Sequence, residues 1–574
     1  MATTTRHSFN ADYFTQAWHD FSHEEYDILI IGAGSVGAGT ALDAATRGLK
    51  VAVVEAQDIA AGTSSRSSKM FHGGLRYLAM LDFALVAESL RERELSMSHI
   101  APHLVKPLRF LFPLTSKIWQ RPYMAAGFLL YDLMGGAKQV PMQKHYSKRG
   151  ALKLAPSLQS DALVGGVRYY DTLVDDARHT LTVLRTAAEF GATIRTRTEV
   201  LGFIRDGERI TGVTVQDTDS LQQTTIRAKV VINATGPWND HINSLAGATG
   251  PFSVAASKGV HIVVPRSCID SEVALTFVTE KSVLFVIPWE NYWIIGTTDT
   301  AWKHSVDKPV ATASDIRYIL DHVNAKVTRP ITPEDIVGVY AGLRPLVSGR
   351  SDSTTNLSRN HAVARVLPGF IAVAGGKYTT YRVIGADTVD LAVKELDQKV
   401  PASVTASIPL LGADGYHGLA NQVPQLAARY QLSEAQITHL LNRYGSLLDE
   451  VLQPAQHDER LLQPLIGAEK YLLAELYYAI THEGARSLED MLHRRMRIGM
   501  EYADRGRRTA QQYLEEIARL CQWDHDTAAA ELAAFLRDLD AQQQAEQALT
   551  DQAAVDIINQ AADSTQTRAT NPEA

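Results

Sequence analysis

Only two cysteines, Cys268 and Cys521, occur in the 574 residues. They stand far apart and in no CxxC or Cys/His spacing, which argues against a disulfide framework or a zinc site and suits a reducing cytoplasm. Long apolar runs are also missing. Nothing approaches the roughly 18 uninterrupted apolar residues of a spanning helix, and the N-terminal stretch has no apolar h-region, so the expectation is a chain neither exported nor transmembrane. No internal repeat is visible, and no DxDxDG loop with a later glutamate offers a calcium site. No metal is expected. Basic charge is short as well: 56 Lys and Arg against 64 Asp and Glu leave a formal net charge of -8, which disfavours nucleic acid as a partner.

What is present is apolar material for more than one core, since hydrophobic residues make up 45% of a chain too long for a single ordinary domain. Residues 26–55, YDILIIGAGSVGAGTALDAATRGLKVAVVE, place an apolar strand, a glycine turn, an Ala-rich helix and a second apolar strand in succession, which is a βαβ unit. Gly32, Gly34 and Gly37 form GxGxxG at the head of that helix. Small residues there let the backbone approach a pyrophosphate, and the helix N-terminus offers N–H groups and a partial positive charge. Glu55 closes the second strand, where an acid accepts ribose hydroxyls. Strand, turn, helix, strand and acid together make a dinucleotide site.

The rest of the chain favours a flavin over NAD. Residues 79–97 have helical spacing; 161–200 read as a turn, a long amphipathic helix and a strand; ERITGVTVQD suggests a hairpin; alternation near 259–298 points to an antiparallel sheet. VAGGKYTTYR follows the apolar strand FIAV and opens a second helix, whose N-terminus suits the electron-rich end of an isoalloxazine. An NAD dehydrogenase would place its catalytic domain after one complete nucleotide unit, whereas here two sheet systems interleave and no second GxGxxG occurs. The expected fold is α/β: a Rossmann-like FAD-binding domain (about 24–98, 160–250 and 350–395) interleaved with an antiparallel-sheet substrate domain (about 99–159 and 251–349). An all-helical C-terminal domain over about 405–540 and a loosely ordered tail over 541–574 complete the expectation.

The set GAGSVG, SSRSSKMFHGGLRYL, YYDTLVDDAR, NATGPW, KGVHIVVPR, IIGTTD, AGLRPL and GGKYTTYR resembles the FAD-dependent glycerol-3-phosphate dehydrogenases, in the amino-acid-oxidase-like flavoprotein group. That resemblance implies FAD as cofactor, oxidation of sn-glycerol 3-phosphate to dihydroxyacetone phosphate, and membrane quinone as acceptor. A terminal phosphate carrying nearly two negative charges needs cations. Arg76 and Lys377, both glycine-flanked, are assigned to it, with Tyr77 as a neighbouring donor. By the resemblance His72 is the base that takes the hydroxyl proton and Arg344 stabilises developing alkoxide. His261 is the second histidine candidate, although a lone strand histidine is more often structural. Thr63, Ser64, Ser65, Ser68, Gly376 and Thr379 are expected at the pyrophosphate and flavin edge, Val200 at the adenine and Gly236 near the nucleotide.

Rival readings stay within reach of the same motifs. A glycerol-3-phosphate oxidase would pass electrons to oxygen, but tends to carry an extra insertion that is not evident here. An amine or amino-acid oxidase would need a carboxylate-binding arginine without Lys377. A flavin- or lipid-binding protein without activity would have lost the glycines or the cations. Between 99 and 150, Lys106, Arg109, Lys117, Arg121, Lys138, Lys144, Lys148 and Arg149 face only Asp132 as a carboxylate. With Trp119, Phe128 and Leu129 dipping into the interface, the stretch is expected to meet an anionic membrane surface, placing the protein peripherally at the inner face of the cell membrane. The helical C-terminal part is assigned to homodimer contact or acceptor docking.

Overall fold

In the computed structural model, residues 8–74, 82–115, 120–134, 140–280, 283–349 and 361–569 are described. Glu25–Ile31 from Ile28 onward, and all of Val51–Val54, are apolar on both faces, the pattern of parallel strands covered by helices. Glu25–Ile31 lies mid-sheet, parallel to Val51–Val54 on one side and Gln223–Asn233 on the other. Thr193–Arg195 extends the first side and Phe370–Gly375 the second, again in parallel, with His361–Leu367 antiparallel at the edge. The hairpin Thr198–Asp206/Arg209–Asp217 joins through Gln223–Asn233. The helices Ser35–Thr46 and Tyr381–Val393 pack together on this sheet.

The second sheet is mostly antiparallel and carries its own apolar layer. Phe252–Pro265 pairs with Gly338–Gly349, from Phe252↔Gly349 to Val263↔Gly338, and with Tyr292–Gly296 on its other side. Val283–Trp289, Ala274–Val278, Lys106–Leu114 and Gly165–Leu173 continue the order to Met70–Phe71. Because the chain passes between sheets several times, the segments just after Val51–Val54, Gln223–Asn233 and Phe370–Gly375 meet at their junction.

Several expectations need correcting. Gly165–Leu173 is a strand of the second sheet rather than a turn on the FAD side; it pairs with Lys106–Leu114 along its length and is mostly buried, so polarity does not alternate along it. The basic stretch is not one surface. Lys106 is half-buried over the Tyr416 ring and donates to Pro102 O at 2.8 Å. On the helix Gln120–Met134, Phe128 is fully buried while Leu129 is 42% exposed. Lys117, Trp119 and Lys138 lie outside the described residues.

The C-terminal part is helical apart from the ribbon Pro464–Leu465/Ala468–Leu472 and has its own core around Leu440, Leu476, Met491 and Ile517. It meets the FAD side through buried ion pairs: Arg494 and Arg495 each reach Asp58 at 2.7 Å, and Arg497 reaches Asp175. The tail is not loose as far as it is described. Helices span His525–Ala545 and Asp551–Ala569, and Ala554, Val555 and Ile558 share a helical face buried against Trp302, Val310 and Leu343. Asp551 also pairs with the buried Lys258 of the second sheet.

Candidate active site

A cavity of about 600 Å³ opens along the C-terminal edge of the parallel sheet, where ligands of such sheets bind. Its floor begins at the glycine turn. Gly32 has φ +105, and a side chain there would run into the carbonyl of Ala234, 2.9 Å from the ideal Cβ. A Cβ on Gly37 would overlap the Gly32 carbonyl oxygen, so Gly37 permits the turn without lining the cavity. Gly34 is the N-cap of Ser35–Thr46 and makes no side-chain cap bond; among the described residues only the Ser35 N–H of the first turn is taken, by Ser64 Oγ at 2.9 Å. A helix start so open suits an anion.

Gly34, Glu55, Thr63, Ser64, Val200, Gly236 and Gly376 line the cavity with Gly32. Glu55 accepts the N–H groups of Ala33 and Gln57, both at 2.9 Å, which fixes the carboxylate at the strand end, and burial raises its pKa. Ser65, Ser68 and Thr379 are not on the wall. Ser65 gives its carbonyl to Lys69 Nζ at 3.0 Å, Ser68 Oγ lies 2.8 Å from His261 Nε2, and Thr379 Oγ1 accepts the His72 N–H at 3.1 Å.

Thr379 thereby ties the second glycine motif to the HGG loop. Lys377 ties it again: its backbone segment lines the cavity, and Nζ donates to Gly73 O at 3.2 Å and Ser89 Oγ at 3.1 Å. The Gly73 N–H donates to Tyr131 Oη at 2.9 Å, and Tyr131 donates to Asp171 at 2.6 Å. Arg93 pairs with the same carboxylate at 3.0 Å. His72 is thus held by backbone bonds on both sides. Arg76 and Tyr77 lie outside the described residues.

Arg344 and His261 sit on the neighbouring strands of the second sheet. Arg344 donates to Thr298 O at 3.2 Å and to Thr297 Oγ1 at 2.9 Å, with Asp299 at 3.6 Å. Gly259 leaves room for it: an added Cβ would sit 2.5 Å from Arg344 Nη2. His261 is 1% exposed and stacked on Tyr340, with ring centroids 4.8 Å apart. Burial, with Arg344 and Lys69 nearby, holds its pKa well below the ordinary value, so the ring is neutral. It supports Ser68 and does not reach the cavity wall.

Sequence reasoning missed an ionic layer beneath the site. Lys69, fully buried, pairs with Asp176 at 2.8 Å and lies over the Tyr340 ring at 5.0 Å. Asp176 lines the cavity and accepts the Ser67 N–H at 2.8 Å, while Arg497 from the helical part reaches both Asp175 and Asp176. Trp238, whose Nε1 donates to Asp307 at 2.7 Å, also lines the wall. Asp175 and Asp176 lie in the motif YYDTLVDDAR, Trp238 in NATGPW and Lys69 in SSRSSKMFHGGLRYL, whereas Arg497 lies in none of the motifs.

Residues 27–382 match the family described as FAD dependent oxidoreductase, and residues 403–528 match the C-terminal domain of alpha-glycerophosphate oxidase. A glycerol-3-phosphate dehydrogenase of Mycobacterium leprae is 52% identical over 556 residues, covering 97% of this chain and 95% of its own. This chain belongs to the FAD-dependent glycerol-3-phosphate dehydrogenases. The mitochondrial glycerol-3-phosphate dehydrogenase of Homo sapiens is 36% identical over 523 residues, covering 87% of this chain and 71% of its own. The glycerol-3-phosphate dehydrogenase of Bacillus halodurans, solved in complex with FAD, superposes with a TM-score of 0.77 at 28% identity, covering 93% of this chain and 98% of that one. FAD is the cofactor of the family, and the residues here fit it: a cavity of about 600 Å³, an open helix start and an acid at the second strand end. Among the described residues no helix is long and apolar enough to cross a membrane.

Proposed function

We propose that this dehydrogenase oxidises sn-glycerol 3-phosphate to dihydroxyacetone phosphate beside the FAD cavity and passes the electrons to a membrane quinone. The observation that carries the substrate is the position of Lys377, whose segment lines the FAD cavity while its ammonium reaches the backbone next to His72. The proposed cation and the proposed base thus belong to two loops that one hydrogen bond joins. Bound FAD supplies the two-electron hydride acceptor. Lys377 and Arg76 bind the phosphate, with Tyr77 as a further donor, and so fix the secondary alcohol relative to the cofactor. His72 takes the hydroxyl proton as C2 loses its hydride, and Arg344 stabilises the charge that develops on the oxygen. His261 acts at one remove, as a neutral ring that orients Ser68.

The membrane part of the reading rests on the helix Gln120–Met134, which exposes Tyr123 (66%), Leu130 (38%) and Leu133 (65%) beside the exposed Arg121. Those residues replace Phe128 as the side chains that enter the headgroup boundary on the cytoplasmic side. Anaerobic mixing of FAD-loaded protein with glycerol 3-phosphate, followed by admission of a soluble quinone or oxygen, tests both halves. Loss of the flavin's visible absorbance, restored rapidly by quinone and slowly by oxygen, is expected. Fast recovery with peroxide formation would move the reading to an oxidase, and unchanged absorbance would refute the substrate.

A further inference from the structure

A second, smaller cavity of about 130 Å³ lies where three parts of the fold meet: the loop after Thr63–Ser65, the strand Gly338–Gly349 and the C-terminal helices. Most charges around it are matched. Lys308 pairs with Asp538 at 2.7 Å, Arg494 with Glu489 at 2.8 Å, and Glu546 with Arg505 at 2.7 Å. Arg497 is matched by Asp175 and Asp176 behind the wall. His493 is within 3.0 Å of the Arg505 carbonyl through Nε2, so that nitrogen carries a proton, and burial lowers the ring's pKa; it adds no charge.

Arg66 is the exception. Arg66 lines the cavity, yet among the described residues its side chain makes no hydrogen bond and has no carboxylate oxygen within 4.0 Å. Burial pushes its pKa down, the sign of a desolvated cation that its surroundings undercompensate, despite Glu489 and Asp538 farther off. A guanidinium presents a planar fork that an oxyanion fills with two parallel bonds, which a spherical halide does not. The volume suits one small oxyanion with a little water. Lys308, 56% exposed, stands at the edge and leaves a way in.

We infer that this cavity is a binding site for one small tetrahedral oxyanion of the inorganic phosphate class, held by Arg66, at the junction of the flavin loop and the C-terminal helices. The site is distinct from the substrate's, because Arg66 lines the small cavity and Lys377 the large one. Since Thr63 and Ser64 line the FAD cavity just before Arg66, an anion here braces the cofactor loop against the helical part.

Equilibrium dialysis of the FAD-loaded protein against radiolabelled inorganic phosphate, at fixed ionic strength, tests the inference. Lys377→Met weakens phosphate binding at the substrate site, where Arg76 remains, so the phosphate that reports the small cavity is the part lost when Arg66 is also changed in that variant. One phosphate per chain is expected in Lys377→Met. At least a tenfold loss of that binding is expected when Arg66→Gln or Arg66→Ala is added. Either substitution removes no ion pair, and retained flavin absorbance reports a folded holoprotein. Equal binding with and without Arg66, or no phosphate bound by Lys377→Met, would overturn the site. Neither result bears on the substrate assignment, which glycerol 3-phosphate turnover reads separately.

Discussion

Replacing Lys377 by methionine tests its proposed role in phosphate recognition separately from cofactor binding. The substitution keeps an unbranched chain of similar length and deletes the ammonium that reaches Gly73 O at 3.2 Å and Ser89 Oγ at 3.1 Å. A charged hydrogen bond contributes about 1.5–3 kcal/mol, and about 1.4 kcal/mol corresponds to tenfold in binding. Loss of the cation should therefore raise KM for glycerol 3-phosphate by roughly 10- to 150-fold. The backbone wall of the FAD cavity is untouched, so flavin content should stay at wild-type level. Any residual oxidation of glycerol, which lacks the phosphate, should be unaffected. Steady-state kinetics with an artificial acceptor, together with flavin absorbance per chain, make the measurement. A KM within about threefold of wild type, with full flavin content, would refute the phosphate role, because such a change is worth well under one charged hydrogen bond.

Tyr131→Phe removes the acceptor of the Gly73 N–H and leaves only the longer 3.3 Å contact to Asp171. A cost of about 1–3 kcal/mol in the loop beside His72 should appear as a lower turnover number with unchanged flavin content, measured by stopped-flow flavin reduction. Arg497→Met leaves the buried Asp175 and Asp176 short of a cation; breaking such a pair typically costs about 3–5 kcal/mol, and a clear drop in thermal midpoint is expected by calorimetry. Glu475 gives the pH dependence: burial raises its pKa, but His439 and Arg443 outweigh that and hold it at about 2 against an ordinary 4.5. With the folded value depressed, its contribution is complete above pH 4.5 and is lost as pH falls towards about 2, so Glu475→Gln should flatten the acid side of a melting-temperature profile. Truncation after Thr550 takes away Asp551 and the face formed by Ala554, Val555 and Ile558; the holoprotein should melt lower while keeping its flavin.

The sequence was most legible where a local period and a backbone constraint coincide. GAGSVG between two apolar strands leaves few alternatives to a nucleotide turn, and the positive φ of Gly32 is the physical content of that pattern. Lys377 was likewise readable, because strand FIAV, two glycines and a helix start fix where the residue sits. Side chains whose meaning depends on distant partners were not readable. Lys69 and Asp176 are separated by 107 residues, and Asp176 and Arg497 by 321. No local spacing encodes such pairs, so YYDTLVDDAR was visible as a motif and silent as a mechanism. The helix Gln120–Met134 is a different case: Phe128 and Leu129, adjacent in the sequence and both expected at the interface, part on folding, because helical rotation turns Phe128 and Tyr131 inward and Leu129, Leu130 and Leu133 outward.

Those inward and outward faces connect two parts of the functional reading. Tyr131, on the buried side, holds the Gly73 peptide next to His72, while Tyr123 and Leu133 on the same helix face outward. Removing the outward apolar residues and removing the Tyr131 hydroxyl should therefore have different signatures. Tyr123→Ser with Leu133→Ser leaves every bond to Gly73 in place, so it should weaken sedimentation with anionic vesicles while a soluble acceptor is reduced at the wild-type rate. Tyr131→Phe should do the reverse. If the double serine variant slowed reduction of the soluble acceptor as much as Tyr131→Phe does, the two faces would not be separable, and the helix would have to be treated as part of the HGG loop's support rather than as a surface that docks.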